Sequence, residues 1–242
     1  SLNPIIARYG ADGLLVEALG LGKEMEMRGA SPTLSTYNTL MYGLCVRVRV
    51  GDAWQWYPVV LKENFVPDMV SYKILIYGYC RVGNARAATF LLDELKRRKL
   101  IPTVVTYNTI IDGLCKLGNL EDARQLKDEM VDHGISPDVY TYTILVNGSC
   151  KAGRLSMAAE FFDEMLHKGL RPDRFAYTTR ISSELKLGDA SKAWTLQEEM
   201  LAKGFPPDMI VYNVFVGGIC KMGNLNEAYA VLQKMVFDGL VP

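Results

Sequence analysis

The sequence predicts an all-α solenoid of tandem helix-turn-helix repeats, and three periodic tracks predict it. Pro32, Pro67, Pro102, Pro137, Pro172 and Pro207 follow one another at 35 residues, and Pro242 falls on the same beat. Tyr37, Tyr72, Tyr107, Tyr142, Tyr177 and Tyr212 keep that spacing, as do Ala53, Ala88, Ala123, Ala158, Ala193 and Ala228. No insertion interrupts any track, so the period is a property of the whole chain. Such a period marks supersecondary units that cannot cover their own apolar faces and must stack on their neighbours.

The period divides the chain into units 34–68, 69–103, 104–138, 139–173, 174–208 and 209–242, read as one continuous solenoid domain. Residues 1–33 read as a partial, eroded unit: Gly13, Ala18, Met25, Gly29 and Pro32 lie on the tracks of Gly118, Ala123, Met130, Gly134 and Pro137. Both ends fall inside a repeat, which predicts a segment of a longer array.

Each element of a repeat has a local reason. In 104–138, Tyr107, Ile110, Ile111, Leu114 and Cys115 follow the spacing of one helix face. Gly118 ends that helix, and Lys116 in its last turn suits the helix dipole. Asn119 is placed to cap a second helix, with Glu121 and Asp122 in its first turn. Leu120, Ala123, Leu126 and Met130 form the buried face of that helix, which stops at Gly134, and Pro137 prevents continuation. Two helices of about 12 residues with short turns make an antiparallel hairpin.

Three positions depart from the pattern. Pro58 interrupts the second helix of 34–68, where a kink or a shortened helix is expected. Val48 stands where Gly118 stands in the next-but-one repeat. Arg180 replaces an aliphatic residue found at Leu40, Leu75, Ile110, Leu145 and Phe215, so it must snorkel or find an acceptor.

Composition excludes several classes. The chain has 242 residues, is 49% hydrophobic, and carries 27 basic and 27 acidic side chains for a net charge of zero. No apolar run is long enough to span a membrane. Cys45, Cys80, Cys115, Cys150 and Cys220 share a track with Leu185, which predicts a buried apolar site rather than disulfides or a metal centre. The two histidines, His133 and His167, read as surface residues among charged neighbours. No zinc-deaminase pattern, phosphate-binding loop or nucleophile elbow occurs, so neither an enzyme nor a cofactor, metal or small-molecule substrate is expected.

Three further tracks suggest a function. The residue after the repeat tyrosine is always polar: Asn38, Lys73, Asn108, Thr143, Thr178 and Asn213. Eight positions later on the same face stand Arg81, Lys116, Lys151, Lys186 and Lys221, with Val46 breaking the row. Second helices carry acidic pairs instead, at Asp93-Glu94, Asp128-Glu129, Asp163-Glu164 and Glu198-Glu199. The zero net charge therefore hides basic first helices and acidic second helices. A solvated face with dipole-friendly ends would also produce this pattern, but a basic line beside amides and hydroxyls is what a nucleic-acid groove needs. The third track, three residues before the polar one, reads Ser35, Val70, Val105, Tyr140, Phe175 and Ile210. Such side chains can stack on unstacked bases, and packing between repeats is the competing use for valine and isoleucine.

The segment Tyr107–Ala123, followed by Met130, Gly134, Ile135, Pro137 and Asp138, resembles the pentatricopeptide repeat, and the uniform 35-residue period resembles its pure class in plant organelle proteins. The tetratricopeptide repeat has a different period and signature. The resemblance covers the whole chain. It implies a right-handed superhelix whose first helices bind single-stranded RNA, one base per repeat, in a mitochondrion or chloroplast, for RNA processing, stability or translation.

In that family the polar residue after the tyrosine and the last residue of the same repeat select the base. The resemblance thus implies uracil for Asn38 with Asp68 and for Asn108 with Asp138, and guanine for Thr143 with Asp173 and for Thr178 with Asp208. Asn213, unpartnered here, implies a pyrimidine. Lys73 with Thr103 matches no combination, and Asn3 with Thr33 in the partial unit is undecoded. The implied core is 5′-U-N-U-G-G-(C/U)-3′, with Val70, Val105, Tyr140, Phe175 and Ile210 stacking on bases and Arg81, Lys116, Lys151, Lys186 and Lys221 on phosphates. The alternative is a helical scaffold for a protein partner. Uncapped end repeats also leave room for self-association.

Overall fold

The computed structural model describes residues 33–240, and the partial unit expected over 1–33 lies, but for Thr33, outside them. The described residues form twelve helices in six successive pairs: α1 (Leu34–Val46) with α2 (Val50–Lys62), α3 (Met69–Arg81) with α4 (Ala85–Arg97), α5 (Val104–Lys116) with α6 (Leu120–Asp132), α7 (Val139–Lys151) with α8 (Leu155–His167), α9 (Arg174–Leu187) with α10 (Ala190–Ala202), and α11 (Met209–Lys221) with α12 (Leu225–Phe237). One pair falls in each sequence repeat. The fold is the expected all-α solenoid of tandem, closely packed helix pairs.

The described residues form two compact units, one running as far as Leu117 and including Asp128–Ile135, the other made of Gly118–Lys127 and the residues from Ser136 onward. In the first, α3 packs on its own partner α4 and on the neighbouring first helices α1 and α5. In the second, α9 packs in the same way on α10 and on α7 and α11.

The helices begin where the sequence supplies caps. Asp68, Asp138, Asp173 and Asp208 are the N-caps of α3, α7, α9 and α11, each accepting from a backbone N–H three residues on. Asn84 and Asn224, which occupy the place of Asn119 in their repeats, cap α4 and α12. The repeat tyrosines are buried, and several find acceptors: Tyr72 meets the hydroxyl of Tyr57 at 2.9 Å, and Tyr142 donates to Glu164 at 2.8 Å.

Within each unit, neighbouring first helices approach closely where one of them carries a glycine. A Cβ on Gly113 would lie 2.9 Å from the Sγ of Cys80, and one on Gly218 would lie 2.7 Å from the Cβ of Leu185. Cys45, Cys115 and Cys150 are buried, Cys80 is half-buried and Cys220 is exposed; all are free thiols. Burial pushes Cys45, Cys80 and Cys115 each up to about 12, so they stay protonated and unreactive. The buried apolar role expected of this track therefore holds at Cys45, Cys115, Cys150 and Leu185, in part at Cys80, and not at Cys220.

The departures resolve individually. α2 runs its full 13 residues through Pro58, so no shortening occurs. Val48 adopts φ +64°, the left-handed conformation that Gly118 takes at φ +77°. The turn geometry is thus kept at the expense of a strained β-branched residue. Arg180 does not snorkel: it is 3% exposed and pairs with the equally buried Glu184, to which Lys192 Nζ also comes within 3.2 Å.

Two stability measurements follow from these sites. Val48→Gly relieves the left-handed strain at an exposed position and raises the stability of the 34–68 hairpin by about 1 kcal/mol, read as a higher urea midpoint. Arg180→Leu alone leaves Glu184 buried without its guanidinium and lowers stability by about 3–5 kcal/mol, whereas Arg180→Leu with Glu184→Leu recovers most of that loss. Equal melting of the single and double variants would contradict the paired arrangement.

Candidate nucleic-acid interface

One predicted reading pair sits where two neighbouring first helices meet. In the first unit, Asn38 on α1 donates from Nδ2 to Asp68 Oδ1 at 3.3 Å, and its Oδ1 accepts from Ser71 Oγ at 2.7 Å. Asp68 Oδ1 also receives the backbone N–H of Ser71 at 2.9 Å and lies 3.0 Å from the same hydroxyl, whose single proton the two oxygens share. Burial pushes the Asp68 carboxyl up, but the bonds from Ser71 and Asn38 outweigh it and hold the group below the ordinary carboxylate range. The carboxylate is therefore charged at neutral pH. Asn38 and Asp68 line an open cleft of about 520 Å³ together with Ser35, Tyr42, Val70 and Ile74.

The other pairs differ in detail. Lys73 is half-buried and Thr103 exposed; among the described residues no hydrogen bond joins them. Thr103 begins α5 with its N–H donating to Thr106 Oγ1 at 3.4 Å. Asn108 is buried on α5. In the second unit, Asp138 Oδ1 accepts from Thr141 N at 2.8 Å. Thr143 Oγ1 donates to the carbonyl of Val139 at 2.8 Å, and Asp173 Oδ1 accepts from Ala176 N at 2.7 Å. Thr178 Oγ1 donates to Arg174 O at 2.8 Å. Asp208 accepts from Val211 N at 3.0 Å through Oδ1 and from Arg174 Nη1 at 3.1 Å through Oδ2. Asn213 is exposed and lines a second cleft, of about 500 Å³, with Ser182, Lys186, Gly217 and Lys221.

The predicted stacking residues are the exposed ones. Val70 and Val105 in the first unit, and Tyr140, Phe175 and Ile210 in the second, are between 51% and 65% exposed. Their immediate neighbours Ser71, Thr106, Thr141, Ala176 and Val211 are all buried. More than half of each of these residues is therefore open to solvent, and the rest is covered by its surroundings.

The basic residues also differ among themselves. Lys116, Lys151, Lys186 and Lys221 are exposed in the last turn of their helices. Lys116 pairs with Asp112 one turn earlier. Arg81 is exposed but committed, donating to Val46 O at 3.0 Å and lying over the ring of Tyr77.

Two features escaped the sequence reading. The last residue of each repeat caps the following first helix, so the expected reading carboxylate is also a structural group. The acidic pairs of the second helices are not simply solvated. Glu129 ties Lys96 to Tyr107, and Glu164 takes Lys127 Nζ at 2.9 Å as well as Tyr142. The signal was present in the constant 22-residue spacing from Tyr107 to Glu129 and from Tyr142 to Glu164. His133 and His167 are exposed, as expected, each with Nδ1 near a carbonyl one turn earlier. Among the described residues no helix is long and apolar enough to cross a membrane.

Comparison with known proteins adds an independent line. The model of the PPR repeat family matches residues 1–46, 35–81, 67–116 and 102–151, and PPR repeat models match 140–170, 175–205 and 203–236. The structure of the pentatricopeptide repeat protein PPR10 from maize is similar to 99% of this chain with a TM-score of 0.78 and 28% identity, over 34% of its own length. PPR10 in complex with an 18-nt psaJ RNA element matches 96% of this chain and 38% of its own at a TM-score of 0.62 and 21% identity. The PPR domain of Arabidopsis thaliana protein-only RNase P 1, in complex with tRNA, matches 79% of this chain and 97% of its own at 0.58 and 15%. The chain thus spans about a third of the length of PPR10. None of the curated protein sequences matches it. With family models aligned from residue 1 to 236 and a helix pair in every described repeat, the chain belongs to the PPR repeat family.

Proposed function

We propose that the chain binds single-stranded RNA, with one base against each repeat and a core of 5′-U-N-U-G-G-(C/U)-3′, as a binding protein rather than a catalyst. The observation that carries this reading is the exposed apolar side chain beside a polar pair in successive repeats, as at Val70 with Asn38 and Asp68. An apolar platform holds a base by its face, and the neighbouring amide, hydroxyl or carboxylate meets its edge. A protein-binding groove has no need of a repeated Asn–Asp or Thr–Asp pair. RNA or tRNA is bound by PPR10 and by the RNase P domain, which supports the same class of partner here. Organellar RNA is the setting that the family resemblance implies.

Thr143 gives the direct test. Asn38 and Asn108 fill the same place as Thr143 and are equally buried, so Thr143→Asn fits without disturbing the seam. Base four should swing from guanine toward uracil by about 1–3 kcal/mol, the scale of a good base contact, in a binding assay with single-base RNA variants. An unchanged preference would remove the one-base-per-repeat reading. The partner aspartates are poorer targets because an alanine there also loses a helix cap worth about 1 kcal/mol.

The lysines behave differently in this scheme. Replacing Lys116 and Lys151 by alanine should weaken binding to all RNA sequences by a common factor and flatten the dependence of log Kd on log salt. A change in base preference instead would move these residues from phosphate to base contact.

A further inference from the structure

Repeats 139–173 and 174–208 carry the same polar pair, Thr143 with Asp173 and Thr178 with Asp208, yet they differ at their first residue. Val139 begins one and Arg174 the other. The remaining described repeats begin with Leu34, Met69, Val104 and Met209, so Arg174 stands alone as a charge at this position. A cation in the first turn of a helix opposes the helix dipole. Arg174 is kept there by two bonds from one nitrogen: Nη1 donates to Pro206 O at 2.8 Å and to Asp208 Oδ2 at 3.1 Å.

This places the guanidinium against both members of the pair. It grips the carboxylate of Asp208 directly, and it sits one helical turn before Thr178, whose hydroxyl bonds the Arg174 carbonyl. Asp208 is consequently filled on both oxygens, Oδ1 by the cap bond from Val211 N and Oδ2 by Arg174. At Asp173 the hydrogen bond is the cap contact to Ala176 N. Two identical pairs therefore offer different chemistry. Nη1 holds only two protons, and both are used; the N–H groups of Nε and Nη2 remain, with no partner among the described residues, on a side chain that is 38% exposed.

We infer that Arg174 is a third base-selecting residue of the 174–208 repeat, donating to the acceptor edge of guanine and rejecting adenine. Guanine presents O6 and N7 as adjacent acceptors that match an arginine fork, whereas adenine places an amino donor where O6 would be. The inference rests on the proposed RNA readout and refines it for one repeat.

The test uses RNAs with guanine or adenine at base four or base five of the core, measured against the wild-type chain, Arg174→Val and Val139→Arg at fixed salt. In the wild type, the preference for guanine over adenine should be about tenfold greater at base five than at base four. Arg174→Val should bring base five down to the ratio of base four and leave base four unchanged. Val139→Arg should raise the ratio at base four, a gain that loss of folding cannot mimic. Equal ratios at the two bases in the wild type would overturn the inference, as would an Arg174→Val variant that binds every RNA more weakly by one common factor, the mark of a phosphate contact. A wild type with no guanine preference at either base would instead overturn the readout itself.

Discussion

Within each unit, first helices of neighbouring repeats lie closely against one another where a glycine of one faces a cysteine or leucine of the other. Gly113 over Cys80 and Gly218 over Leu185 leave no room for a Cβ unless the partner helix retreats. Interiors are packed too densely to absorb such a displacement cheaply. The repeat 174–208 shows the limit of tolerance: Ser183 takes the glycine position, and its hydroxyl meets Cys150 Sγ at 2.5 Å while also donating to Thr179 O at 2.9 Å. Close helix approach then determines what the neighbouring residues can be. A polar group at the seam has lost water and must be satisfied by protein.

That requirement explains the Asn38–Asp68 pair without reference to RNA. Asn38 cannot be buried beside α3 unless its amide is paired, and Asp68 and Ser71 supply the partners. Asp68 is available because it already caps α3, so one carboxylate serves both helix formation and closure of the seam. Multiple donors keep it ionised despite burial. The amide and carboxylate are thus held in place by bonds within the protein itself.

Much of this was legible in the sequence because it repeats. The period set the hairpins, the tyrosine and alanine tracks set the core, and the polar position after each tyrosine located the seam. What stayed hidden depended on contacts between repeats, which periodicity does not reveal. Val70 and Leu75 are both aliphatic residues of α3, yet one is half exposed and the other fully buried. The acidic pairs looked like a solvated face because charge alone does not show that Glu164 reaches both Lys127 and Tyr142. Arg180 was recognised as anomalous, but its partner Glu184 one turn away was not, since both had to be buried before either needed the other.

Charge follows from the same geometry. Each acidic second-helix residue drawn into a tie with a tyrosine and a lysine is partly withdrawn from solvent, and its field is balanced close by. In the second unit Glu164 is held by Lys127 and Tyr142, and Glu160 by Arg124 at 2.7 Å. Lys151, Lys186 and Lys221 on the first helices of that unit stay exposed. A chain with equal numbers of acidic and basic groups can therefore still keep basic side chains exposed on its first helices where the acidic groups of the second helices are engaged. In the second unit, the ties thus engage the acidic side chains of the second helices and leave these first-helix lysines open to solvent.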